Sequence, residues 1–349
     1  MSQHWGISLR YHQCEATWAA IQLAELAREA GIHVRLYADD VCNRELSPYW
    51  DAHVTDGRKV PFDEWMMGCT RVIWTTPPSQ LCLDRVQHRG IETQLLADWE
   101  LIQEEDADVV ARLDSMILPH RCVAEAMCRW ASMIDGHFYP YLLPWDVQLP
   151  ITKPQKFREP EMVYMPLHDS QAAKITLMVF NVLHAILTHM PKVSVTLTGG
   201  ARWSLKSLRA VNALRRHHGS RIQFIRKPDA CRRLQLLTEA DVMLWPACYE
   251  NFGIIGLEAI TMGVPVLAWE IPPMTEFLRH NHNAVLVPCD VQYNWLGVPC
   301  VHPDYDAFGR AALSLLQNPQ LLATIRATSR KGLQARKDQF MQMWTKLTS

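Results

Sequence analysis

Short apolar runs recur along this chain, separated by longer stretches in which apolar residues return every three or four positions. The runs predict strands and the longer stretches predict helices. In the first half, strands are predicted over residues 6–11, 34–38, 71–76, 92–97 and 108–113, with an amphipathic helix over 16–30 that Gly31 stops. In the second half the order is a strand over 162–167, a long helix over 172–189, and strands over 193–198, 223–225 and 240–245. A short helix then opens at Phe252-Gly253, a strand follows over 265–268, and the pattern from 304 to the end is helical. Strands alternating with helices imply parallel sheets covered by helices, an α/β class. Pro150, Pro154 and Pro160 cluster with Lys153, Lys156 and Arg158, which places a linker near 150–160. Two domains are therefore expected, 1–152 and 160–325, with a closing helix over 326–349.

Composition sharpens this picture in three ways. A chain of 349 residues, 48% of them hydrophobic, is long enough for two domains with cores of their own. It has no apolar segment long enough to span a membrane and its start lacks a signal-peptide pattern, so a soluble cytoplasmic protein is expected. The ten cysteines contain no Cys-x-x-Cys pair and are expected to be reduced thiols. The net charge of −1 hides an asymmetry: residues 1–150 carry 12 Lys and Arg against 22 Asp and Glu, while residues 151–349 carry 23 against 14. The densest basic run, from Arg202 to Arg233, suits an anionic ligand, although a solvated helix face accounts for Arg209 to Arg221 equally well.

The chemistry concentrates in residues 245–266. The strand ending at Trp245 meets Pro246, a polar loop carries Glu250, a short helix carries Glu258, and Pro265 begins the next strand. In the first turn of that helix the backbone N–H groups of Gly253, Ile254 and Ile255 have no intrahelical acceptor, so they favour an anion such as phosphate. A carboxylate accepts two hydrogen bonds from a vicinal diol, and a helix N-terminus favours its charge. The apolar neighbours Leu257, Ala259 and Ile260 set Glu258 on a rim facing the site rather than on an open helix surface.

Tyr249-Glu250-Asn251-Phe252-Gly253, followed by Leu257-Glu258-Ala259 and Gly263-Val264-Pro265-Val266, resembles the signature of retaining nucleotide-sugar glycosyltransferases of the GT-B type, family 4. The resemblance implies two Rossmann-like domains facing a cleft, an N-terminal acceptor domain, a C-terminal donor domain, and a last helix that crosses back onto the first domain. By position, Glu250 would touch the hydroxyls of the donor sugar and Glu258 the ribose hydroxyls of the nucleotide, with Phe252, Gly253, Ile254 and Ile255 beside them. Trp99-Glu100, Asp108-Val109-Val110, Ser115 and the phrase Leu143-Pro144-Trp145-Asp146-Val147 match the family loosely.

Breaking a glycosyl–phosphate bond leaves negative charge on the departing diphosphate, so fixed positive groups there carry catalysis. The family places an arginine and, five residues later, a lysine after the first strand of the donor domain. Lys174 matches the lysine, but Asp169 stands where the arginine belongs. His168, or Arg202 following Gly199 and Gly200, is the candidate for the missing charge. The family's glycine pair after the first strand is also absent, since residues 8–15 contain no glycine. Arg10 or His12 is expected to face the cleft instead, and His12 is an acceptor-side catalytic candidate.

The implied co-substrate is a nucleotide sugar, UDP-glucose by family frequency, with no further cofactor. No metal is expected: Asp106-Ala107-Asp108 is read as a charged helix end, and His217-His218 and His280-Asn281-His282 lack further ligands at metal-site spacing. The acceptor is expected to be a hydroxyl on a soluble glycan or small molecule, since an acidic first half argues against docking on a membrane. The alternatives are duplex DNA carrying 5-hydroxymethylated pyrimidines, a nucleotide-sugar epimerase, and a binder of nucleotide sugars without catalysis.

Overall fold

A computed structural model of the chain describes residues 3–9, 15–39, 53–133, 139–142, 160–167, 172–199, 205–226 and 228–329. Two compact units emerge, one built on Met1–Trp145 and the other on Asp146–Asn294 with Pro299–Asp338. The linker expected near 150–160 and most of the closing helix over 326–349 lie outside the described residues. Among the described residues no helix is long and apolar enough to cross a membrane.

The first unit holds strands β1 (His4–Ser8), β2 (His33–Ala38), β3 (Val54–Asp56), β4 (Arg71–Trp74), β5 (Glu92–Leu96), β6 (Ser115–Leu118) and β7 (Tyr139–Leu142). They form a seven-stranded sheet in the order β3-β2-β1-β4-β5-β6-β7, with every neighbouring pair parallel. Helices α1 (Glu15–Glu29), α2 (Gln80–His88) and α3 (Arg121–Met133) connect successive strands. Ile7, Leu36, Val72, Ile73, Leu95, Leu96 and Ile117 are fully buried, which is what strands covered on both faces require.

One expected strand is not one. Residues 108–113 follow a 3-10 turn at Glu104–Asp106 and form a short helix, Ala107–Val110. The Asp106 carboxylate accepts from the Gln103 N–H and caps this turn, so local capping outweighs the β-propensity of Val109 and Val110. The strand instead begins at Ser115, two residues after the expected one was to end.

The second unit holds β8 (Met162–Pro166), β9 (Ser194–Gly199), β10 (Ile222–Arg226), β11 (Val242–Trp245), β12 (Val266–Trp269) and β13 (Ala284–Val287), parallel and in the order β10-β9-β8-β11-β12-β13. Its longer helices are α4 (Ala172–His189), α5 (Leu205–His218), α6 (Ala230–Glu239), α7 (Ile254–Thr261), α8 (Tyr305–Leu316) and α9 (Pro319–Thr328). An antiparallel hairpin, β14 (Asp290–Tyr293) and β15 (Pro299–His302), is an addition that the apolar pattern does not announce: β14 is exposed throughout. Asp241, fully buried, accepts hydrogen bonds from the N–H groups of Glu161 (2.8 Å) and Met162 (3.0 Å) and pairs with Arg326 at 3.2 Å, tying α9 to the starts of β8 and β11.

This strand order has one reversal point, between β8 and β11. The chain steps outward to β9 and β10 on one side and to β12 and β13 on the other, the strand order that in open α/β sheets goes with a crevice at the carboxyl ends of the two central strands. Ligands of open α/β sheets bind at such a crevice.

Candidate functional site

The loop leaving β11 sits at this reversal point and carries the first glutamate. Glu250 is 4% exposed, and its Oε1 accepts from the backbone N–H groups of Asn251 (3.1 Å) and Gly253 (3.3 Å). Gly253 has φ of +69°, a left-handed conformation that glycine adopts without a Cβ clash, and it is the N-cap of α7. The Gly253 N–H, expected to point outward at a phosphate, therefore serves the Glu250 carboxylate in this structure. Phe252 is fully buried and anchors the loop. Ile254 and Ile255 open the helix, the first buried and the second half-buried.

The far side of the loop is fastened as well. The Cys248 carbonyl accepts from Val301 N–H of β15 at 2.6 Å, and the Cys248 thiol lies 3.7 Å from the Tyr305 hydroxyl. Burial pushes both the thiol and the phenol up from their ordinary pKa values, so both stay protonated at neutral pH.

Glu258 lies one helical turn further along α7. Gly256, between the two glutamates, brings the helix close to β11: a Cβ there would collide with the Trp245 indole and stand 3.0 Å from Phe277. Glu258 is not an isolated carboxylate. The Arg233 guanidinium of α6 donates from Nε to Oε2 and from Nη2 to Oε1, both at 2.7 Å. The side chains are only 16% and 8% exposed, so the pair works with little solvent screening. Beneath it, Tyr164 of β8 shares a 3.0 Å hydrogen bond with Thr198 of β9. Burial pushes the Tyr164 phenol up to about 12, and both members of the pair lie within its electrostatic reach.

Arg233 is the residue that sequence reasoning missed. The signal existed: Arg233 precedes the buried Leu236, Leu237 and Ala240 by three, four and seven residues, so it lies on the inward face of α6. A cation on an apolar helix face is a cation with a buried partner.

The structure thus gathers Glu250, Phe252, Gly253, Ile254, Ile255 and Glu258 on the β11–α7 unit. Lys174 falls in the first turn of α4, which follows β8, the strand beside β11; its side chain lies outside the described residues. His12, His168, Gly200 and Arg202 also lie outside them. Of the basic run, Arg233 reaches Glu258, whereas the part that ends α5 does not. Helix α5 runs back from the carboxyl end of β9 to the start of β10, so Arg215, Arg216, His217 and His218 lie near the opposite edge of the sheet. Arg221 is spent there on the Leu187, Met190, Pro191 and Val193 carbonyls at the end of α4.

Known proteins resemble part of this chain. Residues 166–318 match the family model described as Glycosyl transferases group 1. The D-inositol 3-phosphate glycosyltransferase of Jonesia denitrificans is 30% identical over 95 residues, which are 27% of this chain and 22% of that protein. An uncharacterized glycosyltransferase of Methanocaldococcus jannaschii is 38% identical over 53 residues, 15% of this chain and 14% of that one. The matches therefore span about a fifth or less of these curated relatives. Among solved structures, Anabaena HepE in complex with UDP-glucose superposes with a TM-score of 0.74 at 13% identity, covering 99% of this chain and 100% of that one. Sucrose-phosphate synthase from Thermosynechococcus elongatus gives 0.67 at 17% identity, covering 99% of both chains. The fold, two parallel-sheet α/β units, is GT-B.

Proposed function

We propose that this chain, which matches the group 1 glycosyltransferase model over residues 166–318, moves a sugar from a nucleotide-sugar donor to an acceptor hydroxyl with retention at the anomeric carbon. The observation that carries this reading is the pair of buried glutamates, Glu250 and Glu258, on the loop and helix that leave the reversal point of the second sheet. In this reading Glu258 receives the ribose diol and Glu250 the sugar hydroxyls. The Phe252 and Gly253 backbone, with Ile254 and Ile255, walls the sugar and its phosphates. Lys174 stabilises the departing diphosphate, and Gly200, Arg202 and His168 line its path. As the bond from the anomeric carbon to phosphate oxygen breaks, the bond to the acceptor oxygen forms on the same face, and the leaving phosphate takes the acceptor's proton. His12 is the candidate on the acceptor side.

UDP-glucose is the first donor to try, because HepE, similar over its whole length, was crystallised with it. A soluble glycan or small-molecule hydroxyl stands ahead of hydroxymethylated DNA as acceptor, since the C-terminal end of α5 points its arginines away from the glutamates. The reaction uses neither metal nor further cofactor in this reading. Calorimetric titration with UDP-glucose, UDP-GlcNAc and GDP-mannose, followed by hydrolysis and transfer assays with the donor that binds, tests it. Absence of binding by all three, or epimerisation of the sugar in place of transfer, would count against it.

A further inference from the structure

We infer that Arg233 is a positioning residue for the nucleotide: it fixes the plane and direction of the Glu258 carboxylate so that the remaining lone pairs meet both hydroxyls of the ribose. The inference rests on the reading above, in which Glu258 receives that diol.

Four observations carry it. The contact is a fork, with two parallel bonds of 2.7 Å, and a bidentate guanidinium fixes the orientation of a carboxylate where a single bond leaves it free to turn. A carboxylate offers about four lone-pair positions, so a fork that uses two leaves two for a vicinal diol. Both partners stand on anchored helices in contact with each other. Asp229 caps α6 by accepting from Arg232 N–H at 2.7 Å, one residue before Arg233, and Gly256 presses α7 onto Trp245 two residues before Glu258. Finally, Glu258 is almost wholly buried, and a carboxylate without a partner there would lose its hydration with nothing in return. Arg233 compensates that charge, and in the bound state the diol takes the lone pairs that the fork leaves.

A structural ion pair alone would affect folding and leave the selectivity for ribose untouched, and this separates the two roles. Calorimetric dissociation constants for UDP and 2′-deoxy-UDP are to be compared across the wild type, Glu258→Ala, Arg233→Gln and Arg233→Lys, each checked for a cooperative thermal melt. The wild type is expected to prefer UDP by roughly tenfold or more, the scale of one hydrogen bond to a charged group, and Glu258→Ala to show almost no preference. Arg233→Gln is expected to lower the preference to less than about threefold, and Arg233→Lys, which keeps charge but loses the fork, to fall between. Should Arg233→Gln not fold, the Lys variant decides by the same ratio. A wild-type preference retained in the Arg233 variants while Glu258→Ala has lost it would overturn the inference and leave the proposed function standing. Tighter UDP binding by Arg233→Gln would also overturn it, because Arg233 would then be a competitor of the ribose. No preference in the wild type would instead remove the ribose role of Glu258 itself.

Discussion

Replacing Gly256 by alanine tests how closely the donor helix must approach the sheet. In an exposed helix the change would help, since alanine is favoured over glycine by about 1 kcal/mol in a helix interior. Here the added methyl would collide with the Trp245 indole, and the Phe277 ring closes the other side at 3.0 Å. Neither ring has room to yield, as Trp245 is 2% and Phe277 is 7% exposed. Either α7 shifts outward or an aromatic side chain leaves its rotamer. Overpacking of this kind costs about 1–3 kcal/mol, and an off-rotamer ring adds roughly 1 kcal/mol, so the cost outweighs the propensity gain. A net loss of about 1–3 kcal/mol corresponds to a melting temperature lower by roughly 3–10 °C for a domain of this size. Thermal denaturation followed by tryptophan fluorescence measures this directly, because Trp245 is at the point of strain. Gly256→Ala is also expected to bind UDP more weakly, since an outward shift of α7 carries Glu258 with it. A melting temperature equal to or above that of the wild type would refute the packing argument, for it would mean that the indole accommodates the methyl freely.

Glu258→Ala is expected to weaken nucleotide-sugar binding by about 1–3 kcal/mol, and Glu250→Ala to lower turnover more than donor affinity; wild-type kinetics in both variants would remove the donor-site assignment. Lys174→Ala is expected to lower kcat with little change in donor KM, because its charge matters most as the phosphate departs; an unchanged kcat would pass that role to Arg202 or His168. Asp241→Ala breaks a buried pair with Arg326 and leaves two N–H groups unsatisfied, so urea denaturation should show a loss of about 3–5 kcal/mol, and a loss below 1 kcal/mol would contradict the anchoring role. Tyr164 keeps its proton to about pH 12 in the folded chain against 10.0 for an ordinary phenol, so its contribution to stability is complete below pH 10 and is lost as pH rises from 10 to 12. Tyr305 is raised in the same direction, so Tyr164→Phe should flatten only part of that alkaline decline; an unaltered profile would show that burial of Tyr164 does not govern it.

Most strands were legible because a strand in a doubly covered sheet is apolar along its whole length, and such runs stand out: β8, β9, β11 and β12 begin and end within two residues of the predicted positions. The run over 108–113 looked alike on composition, and the capping hydrogen bond that the Asp106 carboxylate accepts from Gln103 N–H in the preceding turn distinguishes it. The hairpin β14–β15 was invisible for the opposite reason, since exposed Asp290, Val291, Gln292 and Tyr293 bury no face and leave no period.

The site divides along the same line between local and distant causes. Glu250, Gly253 and Glu258 belong to one unbroken stretch whose turn, cap and helix are set by neighbours in sequence, so the residues alone place them together. Arg233 reaches Glu258 across 25 positions, and that contact depends on α6 and α7 packing side by side, which only the strand order β8-β11-β12 determines. What the sequence did carry was the anomaly of an arginine in register with Leu236, Leu237 and Ala240. A charged residue at an inward position of a helix states that a partner exists without naming it. The partner is then a buried opposite charge, and here Glu258 is one. The general charge count marked the whole run from Arg202 to Arg233 without singling out Arg233, because counting weighs exposed and buried arginines alike. Burial reverses that weighting: one guanidinium screened by 16% exposure acts on its carboxylate more strongly than several arginines in open solvent at the far edge of the sheet.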